Sequence, residues 1–173
     1  KASMKMWPIG ILMSLFYIYV FVEHKFYAFA LINVYYIIVG IYGWIKWSQN
    51  KNEHSDIQIK NVPKRHILTI GIAILVIFVA LIYLLSAYTD SNVVYADAII
   101  TTLSIVAMVM LAQRWAEQWL LLIVLNFIST AVYFTQDLYA TSIMYFVYSF
   151  GSILGYINWR KLALTHSKKN ESL

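Results

Sequence analysis

The chain has 173 residues, of which 61% are hydrophobic and only 12% are charged, and its formal net charge is +5. This balance excludes an ordinary soluble domain, in which about 25% of residues are charged. Cysteine is absent, which excludes disulfides, thiolate metal sites and cysteine nucleophiles.

Six apolar segments have roughly the length that crosses a bilayer, which is about 20 residues for a helix and about 17 at the short end. In chain order they are 7–22, 26–47, 66–88, 94–112, 118–134 and 139–159. Their apolar residues do not alternate as in a barrel strand, and unpaired backbone groups are too costly in hydrocarbon. Each segment is therefore predicted to be an α-helix, and the fold class to be an all-α polytopic membrane protein.

The basic residues fall on one side of the membrane when successive loops are assigned to alternate sides. All of the 13 lysines and arginines except Lys25 then share the side of the 48–65 loop and of the C-terminal residues. Basic loops mark the cytoplasmic side, so the C terminus is predicted to be cytoplasmic. The net positive charge is therefore interpreted as a signal for membrane orientation and for contact with anionic lipid. No nucleic-acid partner is expected. The polar residues 161–173 form a tail whose last part, THSKKNESL, is expected to be disordered.

An internal repeat relates residues 7–47 to residues 119–159 without a gap. Its matched pairs are Trp7 and Trp119, Tyr36 and Tyr148, Gly43 and Gly155, and Trp47 and Trp159. Four segments separate the starts of the two copies, so both copies cross the membrane in the same direction, as in transporters built of parallel repeats.

The second copy is preceded by the segment 94–112, whereas only KASMKM precedes Trp7. We therefore expect a further helix ahead of this chain and an architecture of three helices, a linker helix and three helices. Residues 1–47 are the first repeat without its first helix, and 48–93 hold a cytoplasmic loop and the linker helix. Residues 94–160 are the second repeat, followed by the 161–173 tail.

Catalytic chemistry finds little support along the chain. The histidines lie in loops or at segment ends, and no Gly-rich phosphate loop with its lysine is present. We therefore expect no enzyme, no cofactor and no metal site. Asp97 is the one carboxylate well inside a segment, and two interpretations remain open: an acid favoured by the dipole at a helix start, or a substrate contact.

Two asparagines within predicted spans, Asn33 and Asn126, are the main candidates for substrate binding. As helix-to-helix contacts they would contribute only about 0.6 kcal/mol each on average. As ligand groups they would approach a shared axis from the two repeats, with Tyr36, Tyr145 and Tyr148 on neighbouring turns. Such a cage offers aromatic faces for a ring, including a cationic ring, and polar groups for a sugar.

The stretches NVYYIIVGIYGWIKW, YADAIITTLS and LYATSIMYFVYSFGSILGYINW resemble the Pnu-type vitamin transporters, whose best-known members carry nicotinamide riboside. The resemblance covers nearly the whole chain. It implies a fold like that of full-length SWEET transporters, a substrate site between two halves, and facilitated diffusion across the bacterial inner membrane. Uptake would become one-way through a cytosolic kinase.

Asn33, Tyr36 and Asn126 match polar and aromatic positions of this family, but the tryptophan of its Trp-x-x-x-Asn motif is replaced by Leu122. The resemblance implies that the tryptophan of this motif forms an aromatic wall against the nicotinamide ring. Trp119, one turn before Leu122, is the candidate for that wall. The resemblance thus predicts transport of nicotinamide riboside and leaves three questions open: thiamine as the vitamin, a non-transporting membrane scaffold subunit as the function, and a homotrimer as the assembly.

Overall fold

The structure is a computed structural model that describes residues 4–24, 27–53, 58–88 and 93–171. Within these ranges the chain forms six helices, which are α1 (Met6–Glu23), α2 (Tyr27–Glu53), α3 (Lys64–Tyr88), α4 (Val94–Ala112), α5 (Gln118–Thr135) and α6 (Tyr139–Glu171). Each of them contains a window long and apolar enough to cross a membrane. The predicted all-α polytopic class is therefore confirmed, and most helix ends lie within two residues of the predicted ends.

Two helices continue well beyond the apolar segments that predicted them. α2 ends at Glu53 instead of residue 47, and α6 ends at Glu171 instead of residue 159. The prediction of a disordered tail is therefore wrong as far as Glu171. Hydropathy marks where a helix leaves hydrocarbon, whereas Gly, Pro and capping residues mark where it ends. Neither Gly nor Pro occurs between Gly155 and the C terminus.

α3 is only partly covered by the rest of the chain, and most of its surface faces outward. None of its residues is buried, although its sequence is strongly apolar from Ile67 onward. Leu68 and Tyr83 are each 73% exposed. An apolar surface of this extent would promote aggregation in water, whereas lipid chains cover it without cost.

The chain divides into two compact units, Lys1–Gln58 with Leu111–Arg114, and Ile59–Met110 with Trp115–Leu173. The first unit is built on the antiparallel pair α1 and α2. The second unit contains the pair α5 and α6 together with α3 and α4. Each unit therefore contains one of the two repeated hairpins.

The turn between α5 and α6 is a Schellman motif, which sets the register of that hairpin. Its Asp137 has a φ of 60°, and its N–H donates to the carbonyl of Phe134 at 3.3 Å. The N–H of Leu138 donates to the carbonyl of Tyr133 at 2.9 Å. Aspartate tolerates the left-handed conformation better than most residues, which explains why no glycine is needed here.

Residues 60–62, ahead of α3, are bound to the turn ahead of α5. Lys60 forms an isolated parallel bridge with Trp115, and its carbonyl accepts from the N–H of Ala116 at 3.0 Å. The N–H of Val62 donates to Oε2 of Glu117 at 2.8 Å. The connection ahead of α3 and the connection between α4 and α5 therefore lie together. The assignment of successive loops to alternate sides of the membrane places these two on the same side. Lys25, predicted on the opposite side, lies outside the described residues.

Replacing Glu117 with alanine is expected to loosen residues 60–62, because the substitution removes the carboxylate that accepts from Val62. A hydrogen bond to a charged group contributes about 1.5 to 3 kcal/mol, and partial exposure places this one at the lower end. Hydrogen exchange in detergent should accelerate at residues 60–62. Glu117→Gln keeps an acceptor oxygen and should retain protection, and Glu23→Ala, an exposed acid at the end of α1, should change nothing there. Unchanged exchange in Glu117→Ala would show that the carboxylate does not hold this segment.

Candidate functional site

Both hairpins contain the same contact between a tryptophan and a glycine. In the first unit, a Cβ added at Gly43 would overlap the indole of Trp7, whose Cη2 is the nearest atom. In the second unit, a Cβ added at Gly155 would lie 2.7 Å from Cδ2 of Trp119. The residues paired by the repeat alignment therefore make the same contact in each hairpin, because only glycine leaves room for the indole.

A second tryptophan completes this contact in each hairpin. Trp47 meets Trp7 edge-on, with ring centroids 5.4 Å apart and an interplanar angle of 83°. Trp159 meets Trp119 in the same way, at 5.8 Å and 81°. Edge-to-face pairs of this kind contribute about 0.5 to 1.5 kcal/mol beyond their buried area. Trp119 therefore has a packing role at the end of its hairpin, and its predicted contact with a ligand stays a prediction.

Asn126 lies in the middle of α5 and is only 6% exposed. Its Nδ2 donates to Oγ of Ser152 on α6 at 2.9 Å. This bond is the helix-to-helix contact that is expected if Asn126 serves to hold neighbouring helices together. An amide can make four hydrogen bonds, however, so the contact with Ser152 uses only part of its capacity. Asn126 can hold α5 against α6 and still offer its carbonyl oxygen to a ligand.

Further buried hydroxyl groups lie on α5 and α6. Ser129 is fully buried, and its Oγ has no hydrogen-bond partner in the part of the chain that the structure describes. The hydroxyls of Ser142 and Ser149 donate to the carbonyls of Thr130 and Tyr145 at 2.8 and 3.1 Å. The contact between α5 and α6 is therefore polar but uncharged at mid-span.

Tyrosines form the next contact of the second hairpin. Tyr133 stacks on Tyr145 with centroids 5.3 Å apart and an interplanar angle of 16°. Tyr148 meets Tyr145 edge-on at 6.1 Å and is itself 53% exposed. The structure thus brings together the predicted residues Tyr145 and Tyr148 and adds Tyr133, which the sequence analysis missed.

A spacing of seven residues connects these contacts and could have revealed Tyr133. Trp119, Asn126 and Tyr133 follow each other at this interval on α5, and their partners Trp159, Ser152 and Tyr145 do so on α6. Side chains seven apart share one face of a helix, which is the pattern of antiparallel helices in left-handed contact. Seven residues rise by about 10 Å, so the pair of Asn126 and Ser152 lies about 10 Å from each aromatic pair.

The first hairpin distributes its polar groups differently. Ser14 occupies the repeat position of Asn126, and Gly40 occupies that of Ser152. Its amide is instead Asn33, at the position of Tyr145, and Asn33 is 8% exposed. Tyr36 is half-buried one turn further along α2. Each hairpin therefore carries one buried asparagine within its span, but at non-equivalent positions.

Two further polar residues, Asp97 and Lys46, lie toward the ends of the apolar spans of their own helices. Asp97 is half-buried in the first turn of α4, where the helix dipole favours a carboxylate, and the choice between this role and substrate contact stays open. Near the C-terminal end of α2, Nζ of Lys46 donates to the hydroxyl of Tyr42 at 3.0 Å and also to Gln113. This cation therefore lies close to the end of the span.

Comparisons with known proteins agree on one family. The family model described as "Nicotinamide mononucleotide transporter" matches residues 1–161. The chain is similar to the nicotinamide riboside transporter PnuC of Escherichia coli (strain K12), with 24% identity over 165 residues that cover 81% of this chain and 69% of the relative. It is 27% identical over 180 residues to the protein of that name from Neisseria mucosa, covering 96% of this chain and 68% of the relative.

A solved structure has the same fold. It is titled "Crystal structure of the Vitamin B3 transporter PnuC", and it matches with a TM-score of 0.67 and 26% sequence identity. The match covers 94% of this chain and 74% of that chain. The likeness therefore extends over almost all of the residues considered above.

Proposed function

The chain belongs to the nicotinamide mononucleotide transporter family, and on that premise we propose that this membrane transporter carries nicotinamide riboside across the inner membrane by facilitated diffusion. The relatives from Escherichia coli and Neisseria mucosa are named for this nucleoside. The family description names the nucleotide instead. The two substrates differ by a phosphate group, so the charges along the hairpins can distinguish them.

The observation that carries this choice is the absence of lysine and arginine from the middle of the spans of both hairpins. Neither lysine nor arginine occurs between Trp119 and Trp159, and between Trp7 and Trp47 only Lys25 and Lys46 occur. Lys25 lies between the apolar segments and Lys46 lies near the end of α2. A phosphate at mid-membrane requires arginine or lysine partners. Amides, hydroxyls and tyrosine rings suit an uncharged ribose and a pyridinium ring instead.

The substrate contacts are proposed separately for each hairpin. In the second, Asn126 accepts from or donates to a ribose hydroxyl, while Tyr145 and Tyr148 offer ring faces to the cationic ring. In the first, Asn33 and Tyr36 supply an amide and a ring. Trp119 lies about 10 Å along α5 from Asn126, so we assign it to the wall of the ligand path rather than to the amide contact.

The same proposal includes the finer architecture. It has three helices, a linker helix and three helices as in SWEET transporters, with residue ranges 1–47, 48–93, 94–160 and 161–173 and a cytoplasmic C terminus. The solved relative supports the fold, and the distribution of basic residues supports the orientation. A homotrimer stays a prediction, because contacts within one chain do not bear on it.

Calorimetry on the purified protein in detergent tests the substrate assignment. Nicotinamide riboside is expected to bind, and nicotinamide mononucleotide to bind at least about 60-fold more weakly, since a charge at mid-membrane costs about 2.5 kcal/mol or more. Equal affinities would contradict the argument from charge. If thiamine binds more tightly than nicotinamide riboside, thiamine becomes the assigned substrate. If none of the three compounds binds, a scaffold subunit is favoured.

A further inference from the structure

An apolar groove runs along the surface of the second unit between α3 and α4. We call it the α3/α4 groove, and its volume is about 220 Å³. α3 contributes Thr69, Ile70, Ala73 and Ile77, and α4 contributes Ile105, Val106, Val109 and Met110. His66 and Trp115 close one end of it. None of these side chains belongs to the proposed transport site.

The length of the groove suits one leaflet of a bilayer. From His66 to Ile77 the helix advances about 16 Å, which is about half of a hydrocarbon core of roughly 30 Å. A single acyl chain needs only this length.

The closed end of the groove carries the features of a headgroup site. The rings of His66 and Trp115 lie 5.5 Å apart, and Trp115 is held in place by its bridge to Lys60. Nε of Arg65 donates to Nε2 of His66 at 3.2 Å, which places the guanidinium beside the groove. Amphipathic rings at this level are typical of the membrane interface.

The charge near this end is positive. Lys60, Lys64 and Arg65 are all exposed, whereas the nearby carboxylate of Glu117 already accepts from Val62. Basic sites between membrane helices bind anionic headgroups. We propose that the α3/α4 groove binds one anionic phospholipid, with its acyl chain between α3 and α4 and its phosphate at Arg65 and His66.

Native mass spectrometry of the purified protein tests this with phosphatidylglycerol and, for comparison, phosphatidylcholine. One phosphatidylglycerol should remain bound, and Arg65→Gln should weaken its binding about fivefold. The control Lys161→Gln removes an exposed cation from α6 and should leave the binding unchanged. Equal retention of the two lipids, or equal retention by Arg65→Gln and the wild type, would overturn the headgroup assignment.

A second pair of variants tests the acyl chain. Ala73→Phe fills the groove and should displace the lipid, whereas Ile72→Phe, at a neighbouring exposed position outside the groove, should not. Thermal unfolding without added lipid shows whether each variant is folded. Lipid retained by a folded Ala73→Phe protein, or a dimer that this variant disrupts, would overturn the proposal.

Discussion

Replacing Asn126 with leucine is expected to weaken binding of nicotinamide riboside about 100-fold while the protein remains folded. Leucine has a similar volume, and the hydroxyl of Ser152 can bond to the backbone of its own helix when the amide is removed. The loss of one polar contact between membrane helices costs about 0.6 kcal/mol on average. A ribose hydroxyl left without its partner in a buried site costs up to about 3 kcal/mol, so binding should be affected far more than folding.

Ser152→Ala is the matched variant, because it breaks the same hydrogen bond from the other side. If Asn126 serves the ligand, Ser152→Ala should retain most of the affinity, whereas Asn126→Leu should not. Calorimetry measures the affinity and thermal unfolding in detergent measures the stability. Unchanged affinity in Asn126→Leu would remove this residue from the site. Equal losses of stability and affinity in both variants would make Asn126 a purely structural contact.

Replacing Gly155 with alanine is expected to destabilise the second hairpin by about 1 to 3 kcal/mol, the usual cost of overpacking a close contact. The new Cβ would lie 2.7 Å from three atoms of the Trp119 indole, a separation that real Cβ atoms do not show. The indole is rigid and is itself packed against Trp159. The two helices must therefore move apart. For a chain of this length the melting temperature should fall by about 2 to 4 °C per kcal/mol.

Gly151→Ala is the control on the same helix, one turn earlier. A Cβ at Gly151 meets nothing within 4 Å, so alanine should leave the melting temperature unchanged or raise it slightly. Trp119→Leu combined with Gly155→Ala should restore part of the stability, because the smaller side chain leaves room for the methyl group. A Gly155→Ala protein as stable as Gly151→Ala would contradict the close contact. The repeat leads us to expect the same result for Gly43→Ala, whose Cβ would overlap the indole of Trp7.

Together these two experiments separate the two kinds of residue that the hairpins contain. The contacts of Trp7 with Gly43 and of Trp119 with Gly155 recur in both copies, so they serve the fold that the copies share. The amides do not recur: Ser14 stands where the second hairpin has Asn126, and Tyr145 stands where the first has Asn33. Groups that differ between equivalent positions are the better candidates for recognising an asymmetric molecule such as a nucleoside.

The sequence by itself determined the six helices, because hydrocarbon permits no unpaired backbone and each span must therefore satisfy its own hydrogen bonds. It also determined the register of the repeat, because Trp and Gly at a close helix contact cannot be exchanged for other residues. The sequence did not predict where α2 and α6 end. Hydropathy changes at the membrane surface, whereas a helix ends only where a helix-breaking or capping residue stops it.

Only the tertiary structure decided which side chains meet. The stacking of Tyr133 on Tyr145 and the bond from Asn126 to Ser152 depend on how α5 lies against α6, which the turn at Asp137 sets. The α3/α4 groove likewise needs two helices at a given separation. In lipid, apolar residues are tolerated on every face of a helix, so the apolar pattern does not specify which face meets a neighbour and packing has to decide it.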